Sequence, residues 1–337
     1  MTNVEHNPSG EDSLIARYFK PLATDPGAFG LVDDAAILKS SGEDIVVTTD
    51  AVVEGVHYLA DDPPETVARK ALRVNLSDLA AKGAEPAGFV LTLALRKPED
   101  AWLRPFADAL GEDANSFACP LLGGDTVSTS GQHMISITAF GRVPAGRMVG
   151  RTGAKPGDRI MVTGTIGDAA LGLDVLKGGG VAGALLSNQA ARDMLIGRYR
   201  VPQPRNALAR AVLQYADAAM DVSDGLAGDA AKLCTASGVS ALINAASVPL
   251  SAPATELVAR HVVEIETLLS GGDDYEILCA VPETHSHAFI AAGQAAGVAI
   301  TPIGTILAQS DVEQGSCRFV DEQGRELALK RLSYSHF

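Results

Sequence analysis

The sequence predicts a mixed α/β (α+β) fold in two domains, and three observations lead there. Short β-branched apolar runs alternate with helix-like segments in both halves of the chain. A length of 337 residues exceeds one ordinary domain. Between the two series lies GRTGAKPGD (150–158), dense in Gly, Pro and charge, which reads as the boundary. The expected domains are residues 1–150 and 151–337.

The elements follow in order. DIVVTTDAVVEGVHY (44–58) reads as a buried strand, Ile45–Val47, that runs straight into Thr48, Thr49 and Asp50 with no turn residue between. A carboxylate at the exit of a buried strand is costly without a partner. Pro63 and Pro64 open a long helix that Gly83 stops. GFVLTLAL is a strand, EDAWLRPFADALGEDANSF a helix despite Pro105, and HMISITAFGRV a strand. After the boundary, RIMVTGTIG, AAMDVS and DYEILCAV read as strands. DAALGLDVLK, PRNALARAVLQYA, DGLAGDAAKLCTASG and ETHSHAFIAAGQAAG read as helices. A weak internal echo, CPLLGGDTV against ETLLSGGDDYEI and TTDAVVEG against DVSDGLAG, suggests related halves.

Composition excludes several classes. Hydrophobic content of 47% with 20% charged residues is that of an ordinary globular protein. A net charge of −14 argues against nucleic-acid and anionic-membrane partners. No run reaches the ~18–20 apolar residues of a membrane span. The N-terminal MTNVEHNPSGEDS lacks the pattern of a signal peptide, so a cytoplasmic protein is expected. Cys119, Cys234, Cys279 and Cys317 are widely spaced and read as core thiols in a reducing compartment. His285 and His287 read as part of a solvated helix face rather than a metal pair.

The P-loop, nucleophile-elbow and zinc-protease motifs are absent. GGGVAG (178–183) matches G-x-G-x-x-G but follows a helix rather than a strand, so a loop is expected there. What stands out is a set of acidic clusters at the ends of apolar segments. They are Asp33-Asp34, Asp50 after Thr48-Thr49, Asp78, Asp125 in LLGGD, Asp221 and Asp224 in MDVSDGL, and Asp273-Asp274. Singly, Asp33, Asp125 and Asp224 read first as helix caps or turn formers, whereas Asp78 lies inside a helix among Leu76, Leu79 and Ala80, where a solvated helix face is the alternative. Collectively, carboxylates gathered at ~4 Å repel by ~1–4 kcal/mol per pair unless cations neutralise them. Carboxylate and Thr oxygens suit Mg²⁺, which takes further ligands from substrate phosphates. The glycines of LLGGD allow backbone N–H groups to approach a phosphate, and Arg151 offers a guanidinium fork or a solvated surface charge.

These segments, LVDDAAI, VVTTDAVVEGVHY, VNLSDLAAKGA, LLGGDTV, GRTGAKPGD, MDVSDGLAGD, SGGDDYEIL and the terminal SYSHF, resemble in order the motifs of thiamine-monophosphate kinases. That family belongs to the ATP-binding superfamily of aminoimidazole ribonucleotide synthetase. The resemblance implies Mg²⁺-assisted, ATP-dependent phosphorylation of thiamine monophosphate to thiamine diphosphate. It also implies a homodimer joined through the N-terminal domains. By motif match, Asp33, Thr48, Thr49, Asp50, Asp78, Asp125, Asp221 and Asp224 are expected Mg²⁺ ligands. Gly124, Asp125, Arg151 and Ser223 are expected to contact ATP, and His57, Asp273 and Tyr334 the thiamine phosphate. Departures are Leu31-Val32 for the family's usual Ile-Gly, Asp273 for Glu, and Lys82 where Met is common.

The implied reaction suits this inventory. The second pKa of a phosphate monoester is ~6, so the attacking oxygen is already ionised and no general base is required. The barrier is the meeting of two polyanions, which metal-held carboxylates address by positioning and charge neutralisation. The thiazolium cation suits an aromatic face, with Tyr334 first and Tyr58 or Phe337 in reserve. Two rivals remain: another ATP-dependent synthetase of the superfamily, and a metal- or nucleotide-binding module without turnover.

Overall fold

Four strands build the first sheet: β1 (Glu43–Val53), β2 (Glu85–Leu95), β3 (Leu121–Ser128) and β4 (Met134–Pro144). Helices α1 (Pro64–Ala81) and α2 (Asp100–Ser116) precede β2 and β3. The computed structural model describes residues 15–25, 42–308 and 317–329. The expected sites Asp33 and Tyr334, with Phe337, lie outside the described residues.

The sheet order is β1-β4-β2-β3, so β1 and β3 are its edges. On β4, buried and half-buried positions alternate strictly, the period-2 pattern of a strand with one core face. Along α1, Val67, Ala68, Ala71, Leu72, Leu76, Leu79 and Ala80 are buried at helical spacing. Gly83, at φ +69°, ends that helix, with Gly83 N–H on the Ala80 carbonyl and Ala84 N–H on that of Leu79. Pro105 falls in the second turn of α2, beside the Trp102–Phe106 stack.

The second sheet has six strands in the order β10-β7-β9-β5-β8-β6. They are β5 (Arg159–Thr163), β6 (Ala218–Val222), β7 (Ser240–Asn244), β8 (Glu276–Val281), β9 (Ile300–Leu307) and β10 (Cys317–Val320). Interleaved with them are α3 (Asp168–Leu176), α4 (Gly180–Ala184), α5 (Gln189–Arg200), α6 (Ala209–Tyr215), α7 (Leu226–Ser237), α8 (Ala252–Ala259), α9 (Ile265–Leu269) and α10 (Glu283–Ala295). Every residue of β6 and β8 is buried, as apolar runs covered on both faces require. Alternation sorts them: Leu278 and Ala280 pack with Leu226 and Leu233 of α7, while Ile277, Cys279 and Val281 pack with Phe289 of α10. Each large side chain so buried contributes ~1.5–3 kcal/mol.

The chain divides into two compact units, Met1–Asn75 with Pro86–Arg142, and Leu76–Glu85 with Val143–Phe337. The last turns of α1 therefore count with the second unit.

Two local expectations differ from the structure. β1 does not end at Val47 but continues to Val53, with Val47 57% exposed and Asp50 exposed mid-strand. An edge strand has solvent on one side, so β-branched runs there need not be buried. GGGVAG is not a loop throughout: Gly180–Ala184 is a helical turn, where Asp174 accepts the Val181 N–H at 2.8 Å.

Candidate active site

In the first unit the candidate residues ride on strands and the turn after β1. Thr48 is half-buried, and Thr49 and Asp50 are exposed. Thr49 Oγ1 donates to the Ile137 carbonyl (3.2 Å) and accepts from Thr138 (2.9 Å), which ties the segment to β4. Gly124 and Asp125 lie exposed on β3. At Gly124 a Cβ would stand 2.0 Å from the Leu91 carbonyl oxygen, so only glycine lets β3 pair with β2 at that register. His57 Nδ1 accepts the Val53 N–H at 3.0 Å, which leaves the ring hydrogen on Nε2. Its carbonyl accepts from Lys70, a lysine only 1% exposed, at 2.8 Å.

The sheet brings some of these together and holds others apart. Thr48, Thr49 and Asp50 share β1, while Gly124 and Asp125 are on the opposite edge, with β4 and β2 between. Three interstrand steps of ~4.8 Å separate those edges by about 14 Å.

In the second unit the candidates are tied down by hydrogen bonds. Ser77 Oγ donates to Asp221 Oδ2 at 2.9 Å, fixing the end of α1 to β6. Asp78 is half-buried one residue on. Lys82, one turn further, donates to the Ala219 carbonyl at 2.8 Å. Burial, then the Arg151 charge, pulls the Lys82 ammonium below its usual range, and Asp221 and Asp78 act in the opposite sense. Asp78, Asp221, Arg151 and Lys82 thus share one electrostatic neighbourhood.

Ser223, Asp224 and Asp273 form a second group. Asp273 N–H donates to the Ser223 carbonyl and Tyr275 N–H to that of Val222, both at 2.8 Å. Asp273 and Tyr275 adopt φ of +72° and +51°, a conformation that non-glycine residues take only where surroundings enforce it. Gly272 makes the contact possible, since a Cβ there would meet the Ser223 carbonyl oxygen at 2.6 Å. The Tyr275 hydroxyl donates to Asp273 at 3.3 Å. Neighbouring Asp274 is an anchor instead: buried, it accepts Gly167 and Ala169 N–H groups, and burial pushes its carboxyl well above the usual range against those bonds. Glu276, fully buried, is met by Thr163, Arg198 and Arg205.

Sequence reasoning missed the residues that hold this group. Asp229, fully buried on α7, accepts the Ser223 and Asp224 N–H groups at 3.0 Å each. Lys232 bridges Asp229 (2.8 Å) and the Asp224 carboxylate (2.5 Å). The signal was there as Asp-x-x-Lys in a helix following SDG, but its meaning depends on a loop folding back over the helix start.

The donor set of Thr48, Thr49, Asp50, Asp78, Asp125, Asp221 and Asp224 is all hard oxygen, without Cys or His, and so fits Mg²⁺ rather than zinc. Among the described residues no three His, Cys, Asp or Glu side chains stand together as a complete metal cage.

Residues 32–143 match the N-terminal domain, and residues 155–314 the C-terminal domain, of AIR synthase related proteins. The thiamine-monophosphate kinase of Caulobacter vibrioides is 43% identical over 98% of this chain and 91% of its own length. The chain belongs to the thiamine-monophosphate kinase family. Solved thiamine-monophosphate kinases have the same fold. The Stenotrophomonas maltophilia structure matches with TM-score 0.79 at 33% identity, over 94% of this chain and 96% of that one. AaThiL complexed with AMPPCP and TMP matches with TM-score 0.75 at 29% identity, over 92% and 97%.

Proposed function

We propose that this chain transfers the γ-phosphoryl group of ATP to thiamine monophosphate, giving thiamine diphosphate and ADP in thiamine diphosphate biosynthesis. The observation that carries the reading is 43% identity along nearly the whole chain to a thiamine-monophosphate kinase. The AaThiL complex with AMPPCP and TMP names the matching pair of ligands. Among the described residues no helix is long and apolar enough to cross a membrane.

The residue roles follow from the chemistry. Gly124, Asp125, Arg151 and Ser223 bind ATP, and His57, Asp273 and Tyr334 face the thiamine phosphate. His57, with its hydrogen on Nε2, is a neutral donor suited to a phosphate oxygen. Asp33, Thr48, Thr49, Asp50, Asp78, Asp125, Asp221 and Asp224 hold Mg²⁺, which when bound supplies the positive charge that lets two polyanions meet. The substrate's phosphate oxygen, ionised above its pKa of ~6, forms the new bond to the γ-phosphorus as the bond to the ADP oxygen breaks. No side chain needs to accept a proton or form a covalent intermediate.

A homodimer joined through the first unit accords with the strand order. An edge-to-edge distance of about 14 Å is more than two Asp side chains bridge when each must stand ~2.1 Å from one Mg²⁺. A second copy pairing its β3 edge with the β1 edge would bring Asp125 of one protomer to Thr48–Asp50 of the other. Both edges carry exposed valines, Val47 (57%) and Val127 (44%), of the kind such pairing covers.

The test is ADP release from ATP with thiamine monophosphate, with and without Mg²⁺, and with thiamine as control acceptor. Turnover with thiamine monophosphate and Mg²⁺ is expected, with none from thiamine, which lacks the ionised oxygen. Turnover only with another small acid would favour a sister synthetase, and nucleotide binding without turnover would favour a non-catalytic module.

A further inference from the structure

Lys232 is not accounted for by the reaction. It lies on α7, two turns beyond the loop that carries Ser223 and Asp224, and its ammonium touches two carboxylates with different duties. Asp229 is fully buried and already accepts two backbone N–H groups, at Ser223 and Asp224. Its carboxylate is a fixture of the loop. Asp224 is different: its side chain is 38% exposed and is the end of the bridge that can be released.

We infer that Lys232 is an internal counter-ion that occupies the Asp224 carboxylate in the metal-free chain and yields it when Mg²⁺ binds. The inference rests on the reading of Asp224 as a metal ligand. An ammonium and a divalent cation compete for the same carboxylate, so Lys232 weakens metal binding at this position. In return it relieves the repulsion between Asp224 and Asp229 while the site is empty. Asp229 retains the displaced lysine within reach, so the exchange is reversible and Lys232 remains a nearby positive charge.

A pin that merely stabilises the loop would change stability and leave metal affinity alone, which separates the two roles. The experiment measures Mn²⁺ binding to the full chain by the free-ion paramagnetic resonance signal, with thermal unfolding alongside. Lys232→Met removes the charge and keeps the length. It is expected to bind Mn²⁺ roughly tenfold tighter, because the Asp224 carboxylate no longer has to be taken from an ammonium, an ion pair of ~1 kcal/mol or somewhat more at this exposure. Lys232→Arg should behave as wild type. Asp224→Asn should weaken binding several-fold, and adding Lys232→Met to it should restore little. Unchanged Mn²⁺ affinity in Lys232→Met, beside weakened binding in Asp224→Asn, would overturn the counter-ion role and leave Asp224 a ligand. No change in either variant would overturn both together.

Discussion

The two units place their candidate residues in opposite ways. In the first, Thr49, Asp50, Gly124 and Asp125 stand exposed on the edge strands of a four-stranded sheet. In the second, Asp221 is buried against Ser77, and the Ser223–Asp224 loop is held by Asp229, Lys232 and the backbone of Asp273 and Tyr275. The second unit fixes its site by bonds already made within the fold, at the cost of two left-handed non-glycine residues. The first carries its candidate residues on the two edges of its sheet. Substitution of an exposed site carboxylate in the first unit should therefore weigh on chemistry more than on stability, and substitution in the second should weigh on both.

The largest effect expected is that of Asp50→Asn. If Asp50 holds a Mg²⁺ that neutralises the transferring phosphates, losing its charge should cut kcat by about a hundredfold or more and raise the Mg²⁺ requirement. The urea midpoint should stay at the wild-type value, and a shifted midpoint would break the contrast. Asp229→Ala comes next, with both readouts affected. Two N–H groups and a lysine lose their acceptor, for a loss of about 2–3 kcal/mol in urea unfolding and a matching fall in activity. Gly124→Ala sharpens the comparison from the other side, because here a first-unit residue is structural. The added Cβ collides with Leu91, so about 1–3 kcal/mol of stability should be lost before any effect on ATP is read. Smallest is Tyr334→Ala, which should raise KM for thiamine monophosphate about 2- to 30-fold and leave that for ATP nearly unchanged. Equal effects on both substrates would remove Tyr334 from the substrate side.

Much of this was legible in the sequence where the signal is local. The α1 helix from Pro64 to the Gly83 stop, the alternating β4 and the apolar β6 and β8 each follow from spacing over a few residues. The acidic motifs were equally plain. β1 was misread because β-branched residues say "strand" without saying whether a neighbour covers both faces. The separation of Asp50 from Asp125 was invisible because strand order is set by long-range pairing. Asp229 and Lys232 escaped notice because their meaning lies in the loop they face rather than in their own helix. Gly124 was assigned a place beside a phosphate, and its closest constraint is the Leu91 carbonyl.

The most direct measurement is the activity of a mixed dimer in which one subunit carries Asp50→Asn and the other Asp125→Asn, isolated through two different affinity tags. If β1 of one copy and β3 of the other complete each site, one site per dimer is intact and the other doubly altered. About half the wild-type rate should then return from two variants that are inactive alone. A mixed dimer as inactive as its parents, or a failure of the two chains to pair, would contradict the account.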